Sequence, residues 1–159
     1  MSLRDEFATF INAGTELAPD YVLLGEGITN ASISYNPQTT DEVYIHQRSG
    51  TTEIDSYKPV MKIEAKHIET DEALEYLDGL RKTRPVGADA YSKIVNVWMY
   101  ETPVGGAYPA EEQDISIQFD EFGGEGGKKN SFSCQLNYRG DPVQGTFNPT
   151  SGVFAETSA

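Results

Sequence analysis

Residues 130–139, NSFSCQLNYR, alternate without a break: Phe132, Cys134, Leu136 and Tyr138 share one parity, and Ser133, Gln135, Asn137 and Arg139 share the other. Successive side chains of a strand point to opposite faces, so this pattern predicts a strand buried on one side and wet on the other. The same period recurs upstream. Ile115, Ile117 and Phe119 alternate with Asp114, Ser116, Gln118 and Asp120, while Met61, Ile63 and Ala65 alternate with Lys62, Glu64 and Lys66. One-face-wet strands belong to antiparallel sheets, so the expected class is mainly β (α+β), an antiparallel β-sandwich or barrel. Further strands are expected at about 7–13, 20–25, 30–35, 42–48 and 143–147.

The stretch 93–101 differs, because Ile94, Trp98 and Tyr100 occupy one face and Val95, Val97 and Met99 the other. Both faces need cover, one of them from a helix or a neighbouring subunit. A flanking α-helix is predicted over 71–84. Thr70 can cap it, Asp71 and Glu72 suit the positive end of its dipole, and Arg81, Lys82 and Arg84 suit the negative end before Pro85 stops it. Ala73, Leu74, Leu77 and Leu80 make a stripe at helical spacing that packs on a sheet.

The chain has 159 residues, a length that suits one domain over 1–159, and 38% hydrophobic with 11% aromatic content means that it folds. Its net charge of −13 argues against binding duplex DNA through a basic face. A single cysteine, Cys134, can neither close an internal disulfide nor build a zinc site. The first residues lack an apolar signal core, and no run approaches the roughly 20 apolar residues of a membrane span, so a soluble protein made in the cytoplasm is expected.

Two segments exceed what a compact sandwich needs. Residues 36–58, NPQTTDEVYIHQRSGTTEIDSYK, form a long polar arm with turn residues at Asn36-Pro37 and Ser49-Gly50. An arm of this length is either disordered or functional. In the C-terminal stretch, turn residues between Phe147 and Phe154 predict that the tail folds back onto the body.

FDEFGGEGGKKN, residues 119–130, invites comparison with a phosphate-binding loop. Five positions before Gly127 stands Phe122 where a P-loop needs glycine, and Lys129 replaces the Ser or Thr that would hold Mg²⁺. The stretch reads as a connection between strands 113–121 and 130–139, with glycines supplying positive φ. Catalytic chemistry finds no anchor either. His46 lies in the polar arm, His67 near a strand end, Cys134 among core positions, and the adjacent acid pairs are too many for one to stand out. Neither a cofactor nor a metal is expected, and no enzyme.

Several phrases taken together resemble the major tail proteins, or tail tube proteins, of long-tailed phages with non-contractile tails, in the form common among phages and prophages of Gram-positive bacteria. They are Gly25-Glu26-Gly27, Ser34-Tyr35-Asn36-Pro37-Gln38, the segment from Thr51-Thr52 to Ser56-Tyr57-Lys58-Pro59, Leu80-Arg81-Lys82-Thr83-Arg84, Val86-Gly87-Ala88-Asp89-Ala90, Tyr108-Pro109-Ala110, the glycine stretch, and Gly140-Asp141-Pro142-Val143-Gln144-Gly145-Thr146-Phe147. The resemblance implies a β-sandwich with one flanking helix, a fold shared with tube proteins of contractile tails and type VI secretion. It implies a virion protein, assembled in the host cytoplasm, that forms homo-oligomeric rings of six. The rings stack into a tube with other tail proteins as partners, through which DNA passes without specific binding.

In that family a long loop reaches a neighbouring subunit or ring, which makes the arm the candidate here, with Asn36, Pro37, Tyr44, Arg48, Tyr57 and Lys58 as candidate subunit contacts. Lys128 and Lys129, the only adjacent lysine pair in an acidic chain, are candidates for a basic contact with an acidic patch on the next subunit, the alternative being plain solvation. Glu64, Asp114, Gln118 and Asp120 are candidates to face the lumen, where negative charge repels phosphate; the alternative is a solvated outer face. A different reading of the same features is a β-sandwich binding module of the tail tip or baseplate, which calls for an exposed aromatic platform on short loops.

Overall fold

The computed structural model describes residues 3–15, 18–25, 27–66 and 71–156. A 3-10 turn at Arg4–Glu6 leads into strands β1 (Phe7–Asn12), β2 (Tyr21–Leu23), β3 (Ile28–Ser34), β4 (Pro37–Glu42), β5 (Thr51–Tyr57) and β6 (Val60–Lys66). Helix α1 (Glu72–Thr83) and a second 3-10 turn at Gly87–Ala90 follow, then β7 (Tyr91–Trp98), β8 (Tyr108–Gly123), β9 (Ser131–Asn148) and β10 (Val153–Glu156). Eight strands make one antiparallel sheet in the order β2-β1-β7-β8-β9-β6-β3, with β10 beside the end of β9, while β4 and β5 form a separate two-stranded ribbon. The mainly β class with one flanking helix is the one the alternation predicts, realised as a single sheet curled into a half-barrel.

The alternating residues point inward as read. Met61, Ile63, Ile115, Ile117, Cys134 and Leu136 are buried beneath α1, whose Ala73, Leu74 and Leu77 have no exposed surface. Leu80 packs at the margin of this cluster. The helix starts at Asp71, whose Oδ2 accepts from the Leu74 N–H at 3.2 Å. The cap is thus one residue later than Thr70, which lies outside the described residues, as does His67. At the other end Arg84 adopts a left-handed conformation, φ 49°, just before Pro85. Proline disfavours a helical residue ahead of it, so the helix ends here.

Strand β7 is buried on both faces, but the chain itself supplies both covers. Ile94 joins the cluster beneath the helix, while Val95 and Val97 pack with Phe10, Ala110 and Phe147 in a second cluster on the opposite face. Phe10 on β1 and Phe147 on β9 are separated by two strands, yet their rings stand 4.6 Å apart. The sheet therefore curls around this second cluster, and no neighbouring subunit is needed to cover β7. The strand ends at Trp98, so Met99 to Glu101 form a turn and Tyr100 is exposed.

The C-terminal tail folds back as expected, with β10 placing Phe154 opposite Phe147. Gly145 permits this close approach, because a Cβ there would collide with the Ala155 carbonyl oxygen and stand 2.7 Å from the Phe154 ring.

The strand expected at 113–121 extends over Tyr108–Gly123, and two larger displacements accompany it. The stretches 130–139 and 143–147 are parts of one strand, β9, instead of two separated by Gly140-Asp141-Pro142. Opposite these three residues β8 contributes Gln113 alone, since Glu112 pairs with Val143 and Asp114 with Arg139. Gln113 is only 1% exposed, and its Nε2 donates to the carbonyls of Asp114, Arg139 and Gly140 at 2.9, 3.0 and 3.2 Å. One buried amide thus supplies the hydrogens that the bulged backbone lacks from its ladder. The second displacement is the strand expected at 42–48. Pairing runs from Pro37↔Tyr57 to Glu42↔Thr51, which leaves 43–50 as the tip of a hairpin.

A Gln113→Leu change keeps the volume and removes the donors. We expect it to cost about 3 kcal/mol, the scale of buried polar groups left unpaired, and to lower Tm by about 6–12 °C in a chain of this size. Thermal unfolding by circular dichroism checks this, with Glu101→Ala, an exposed turn residue, as the surface comparison.

Candidate functional site

Cross-strand side chains explain how a polar two-stranded ribbon holds together, since isolated hairpins are marginal. Thr52 Oγ1 donates to Asp41 Oδ1 at 2.6 Å, and Thr40 Oγ1 donates to Asp55 Oδ2. Threonine also suits the extended backbone. Asn36 takes positive φ, 44°, and ties the base, its Nδ2 donating to the Lys58 carbonyl at 3.1 Å. The Lys58 N–H returns to the Tyr35 carbonyl at the same distance. Of the candidate contacts, then, Asn36, Pro37, Tyr57 and Lys58 gather at the base, where Pro37 pairs with Tyr57, while Tyr44 and Arg48 stand at the tip. All six are exposed.

The tip carries a feature that the sequence reading misplaced. Val43, Tyr44 and Ile45, taken as strand residues, stand in the open, with Ile45 more than fully exposed at 107%. Tyr44 stacks against His46 with ring centroids 6.3 Å apart, and its O–H donates to Glu42 Oε2 at 2.6 Å, a bond that holds the phenol's pKa up. An apolar triplet within an otherwise polar arm was the available signal. It reads equally as strand or as exposed knob, which periodicity alone does not separate.

Lys128 and Lys129 lie at the other end of the same ladder. The glycine stretch links β8 to β9 as a turn, with φ of 130° at Gly123, 155° at Gly124 and 79° at Gly127. Lys66 pairs with Ser131 at this end, whereas Val60 pairs with Asn137 where the arm departs. The arm and the lysines are therefore separated by the length of β6. Lys128 Nζ lies 3.1 Å from Glu125 within the loop, an exposed pair that contributes little.

Glu64, Asp114, Gln118 and Asp120 are all exposed on the sheet face turned away from α1. Gln118 Nε2 donates to Asp120 Oδ1 at 2.8 Å, and Lys93 Nζ lies 3.8 Å from Asp114. The face also carries Lys62, Lys66 and Arg139, whose guanidinium lies 3.4 Å from the centre of the Tyr91 ring. It is mixed in charge, not uniformly acidic.

The chain's single thiol is buried and not activated. The Cys134 thiol is pushed up to about 12, first by burial and second by the Asp120 carboxylate, so it stays protonated at neutral pH. His46 is an exposed ring at the arm's tip. Among the described residues no three His, Cys, Asp or Glu side chains gather in a way that could hold a metal ion, and no helix is long and apolar enough to cross a membrane.

No protein-family model matches the chain, and no curated protein matches it. Its fold is similar to that of a chain in the tail of an empty GTA particle computed with helical refinement in C6 symmetry: TM-score 0.62, 9% identity, covering 89% of this chain and 97% of that one. A chain of the anti-feeding prophage baseplate, 6-fold symmetrised, aligns at TM-score 0.48 and 10% identity over 91% and 93% of the two chains. At such identity the first likeness establishes the fold.

The thiol makes a pH prediction. Its folded pKa lies above the ordinary value of 9.0, so above pH 9 the unfolded chain loses a proton that the folded chain keeps, and stability falls as pH rises toward 12. Tyr21 and Tyr138 act in the same sense from pH 10 upward: burial is the main cause for both, with the Glu112 carboxylate adding for Tyr21. Denaturant midpoints from pH 8 to 11 should fall for the native chain, and Cys134→Ala should delay the onset by about one pH unit.

Proposed function

We propose that the chain is a structural protein of a phage-like tail, in which copies form rings of six that stack into the tube through which DNA leaves. The proposal extends to a major tail protein of a non-contractile tail, assembled in the host cytoplasm and carried in the virion. The arm is the observation that carries this reading. It is an ordered ribbon outside the sheet, exposed over 37–57 except for half-buried Gln47 and Thr51, and it ends in an uncovered apolar tip. The fold likeness to a chain from a C6-symmetric tail, over nearly the whole length of both, supports it.

Charge gives the arm and the lysine loop complementary parts. Within 37–57 stand Asp41, Glu42, Glu53 and Asp55 against Arg48 alone, whereas Lys128 and Lys129 occupy the opposite end of the ladder. Two different patches at opposite ends suit a head-to-tail contact, which repeats into an open stack instead of closing as a dimer. In the tube, Glu64, Asp114, Gln118 and Asp120 stand on the face that lines the lumen. Its lysines make that wall weakly charged, and DNA slides without being held.

Electron microscopy of concentrated protein, alone and with other tail components, is expected to reveal rings or tubes of uniform diameter. A strict monomer under all these conditions contradicts the proposal. Exchange of Lys128 and Lys129 together for Glu should weaken assembly about tenfold or more at low salt, less at high salt, with monomer stability unchanged. Tubes unaffected by the exchange remove the lysines from the contact.

A further inference from the structure

We infer that the arm's apolar tip, Val43 to Ile45, seats in an open groove of a second copy of this chain. This rests on the assembly reading above and names the surface that receives the arm. The groove, about 1100 Å³, lies at the seam of the half-barrel, between the edge made by β1 and β2 and the start of β3. Phe10, Leu23, Leu24, Ile28, Ala31 and Met99 give it an apolar wall. Ligand pockets usually span about 300–1,000 Å³, so this one has room for the three tip side chains.

Three observations identify the occupant. First, tip and groove are each apolar and uncovered in the same chain: Val43 is 65% and Ile45 107% exposed, and Leu23 in the groove is 48% exposed. Second, their rims are complementary. Arg4 crosses the seam, its guanidinium donating to the carbonyls of Phe7 at 2.7 Å and Ala31 at 3.1 Å, and Asp5 stands beside it. The tip is flanked by Glu42 on one side and Arg48 on the other. Glu42 can face Arg4, and Arg48 can face Asp5.

Third, the chain's own tip does not occupy its own groove: none of Val43, Tyr44 and Ile45 lines it, and all three are exposed. Tip and groove are two different surfaces, and such a pair makes a head-to-tail contact between copies.

A disulfide trap tests this. Ile45→Cys and Leu23→Cys chains are mixed and oxidised with copper phenanthroline; native Cys134, 1% exposed, stays silent. The control mixes Ile45→Cys with Val86→Cys, a site 77% exposed outside the groove. The expected result is a cross-linked dimer at least about tenfold more abundant than in the control, as a preformed contact raises effective concentration. Yields equal to the control overturn the inference. Electron microscopy of the native chain separates the two levels: rings without the cross-link mean that the tip seats elsewhere and assembly stands, whereas the cross-link without rings keeps the groove and removes the ring. Neither rings nor cross-link removes both.

Discussion

Everything else is arranged around the pairing of β8 with β9. These two strands, 16 and 18 residues long, run the whole length of the sheet and carry its two cores on opposite faces. Near one end Ile115, Ile117, Cys134 and Leu136 face the helix; near the other Ala110 and Phe147 face the opposite way into the second cluster. A straight ladder cannot serve both without bending. The bend is made where three residues, Gly140 to Pro142, oppose Gln113, with Gly140 at φ 72°. Proline offers no hydrogen to the ladder, so the Gln113 amide must satisfy the surrounding carbonyls. A second buried network works alike: Thr9 Oγ1 donates to Asn96 Oδ1 at 2.9 Å, and Asn96 Nδ2 donates to the Tyr138 hydroxyl at 3.0 Å. Among the described residues no buried side-chain nitrogen or oxygen lacks a partner.

With the body closed in this way, the polar arm is left as an appendage, and the overall charge decides what kind of contact it can make. At −13, copies repel one another at long range, and salt screens that repulsion over about 10 Å at 0.1 M. Association then depends on local features that outweigh the background. An apolar tip entering an apolar groove gains from water released at contact, and the charges beside it set orientation more than affinity.

The period-two alternation made the sheet legible, because each inward residue of 132–138, 115–119 and 61–65 has to be apolar if one face is buried. Helix α1 was legible for the same kind of reason, with its stripe, charged ends and Pro85. What escaped was decided by pairing, which sequence does not display. Gly140-Asp141-Pro142 has the chemistry of a turn and became a bulge, since β8 continues alongside. Gln113 shares the inward parity of Ile115 and Ile117, and a glutamine at such a position was the trace of that bulge. Val43-Tyr44-Ile45 has strand propensity and became a tip, because register placed Glu42 opposite Thr51 and left the triplet beyond the last pair. The groove combines Leu23, Ile28 and Met99, residues far apart in the chain, and only folding assembles it.

The central claim is that the arm exists for other copies of the chain and not for its own fold. Sedimentation velocity over a concentration series, on the native chain and on one with residues 38–56 replaced by an Asn-Gly turn, tests it most directly. The account predicts that the shortened chain melts at the temperature of the native monomer and sediments as a monomer at every concentration, while the native chain forms larger species. A shortened chain that assembles as well as the native one would contradict it.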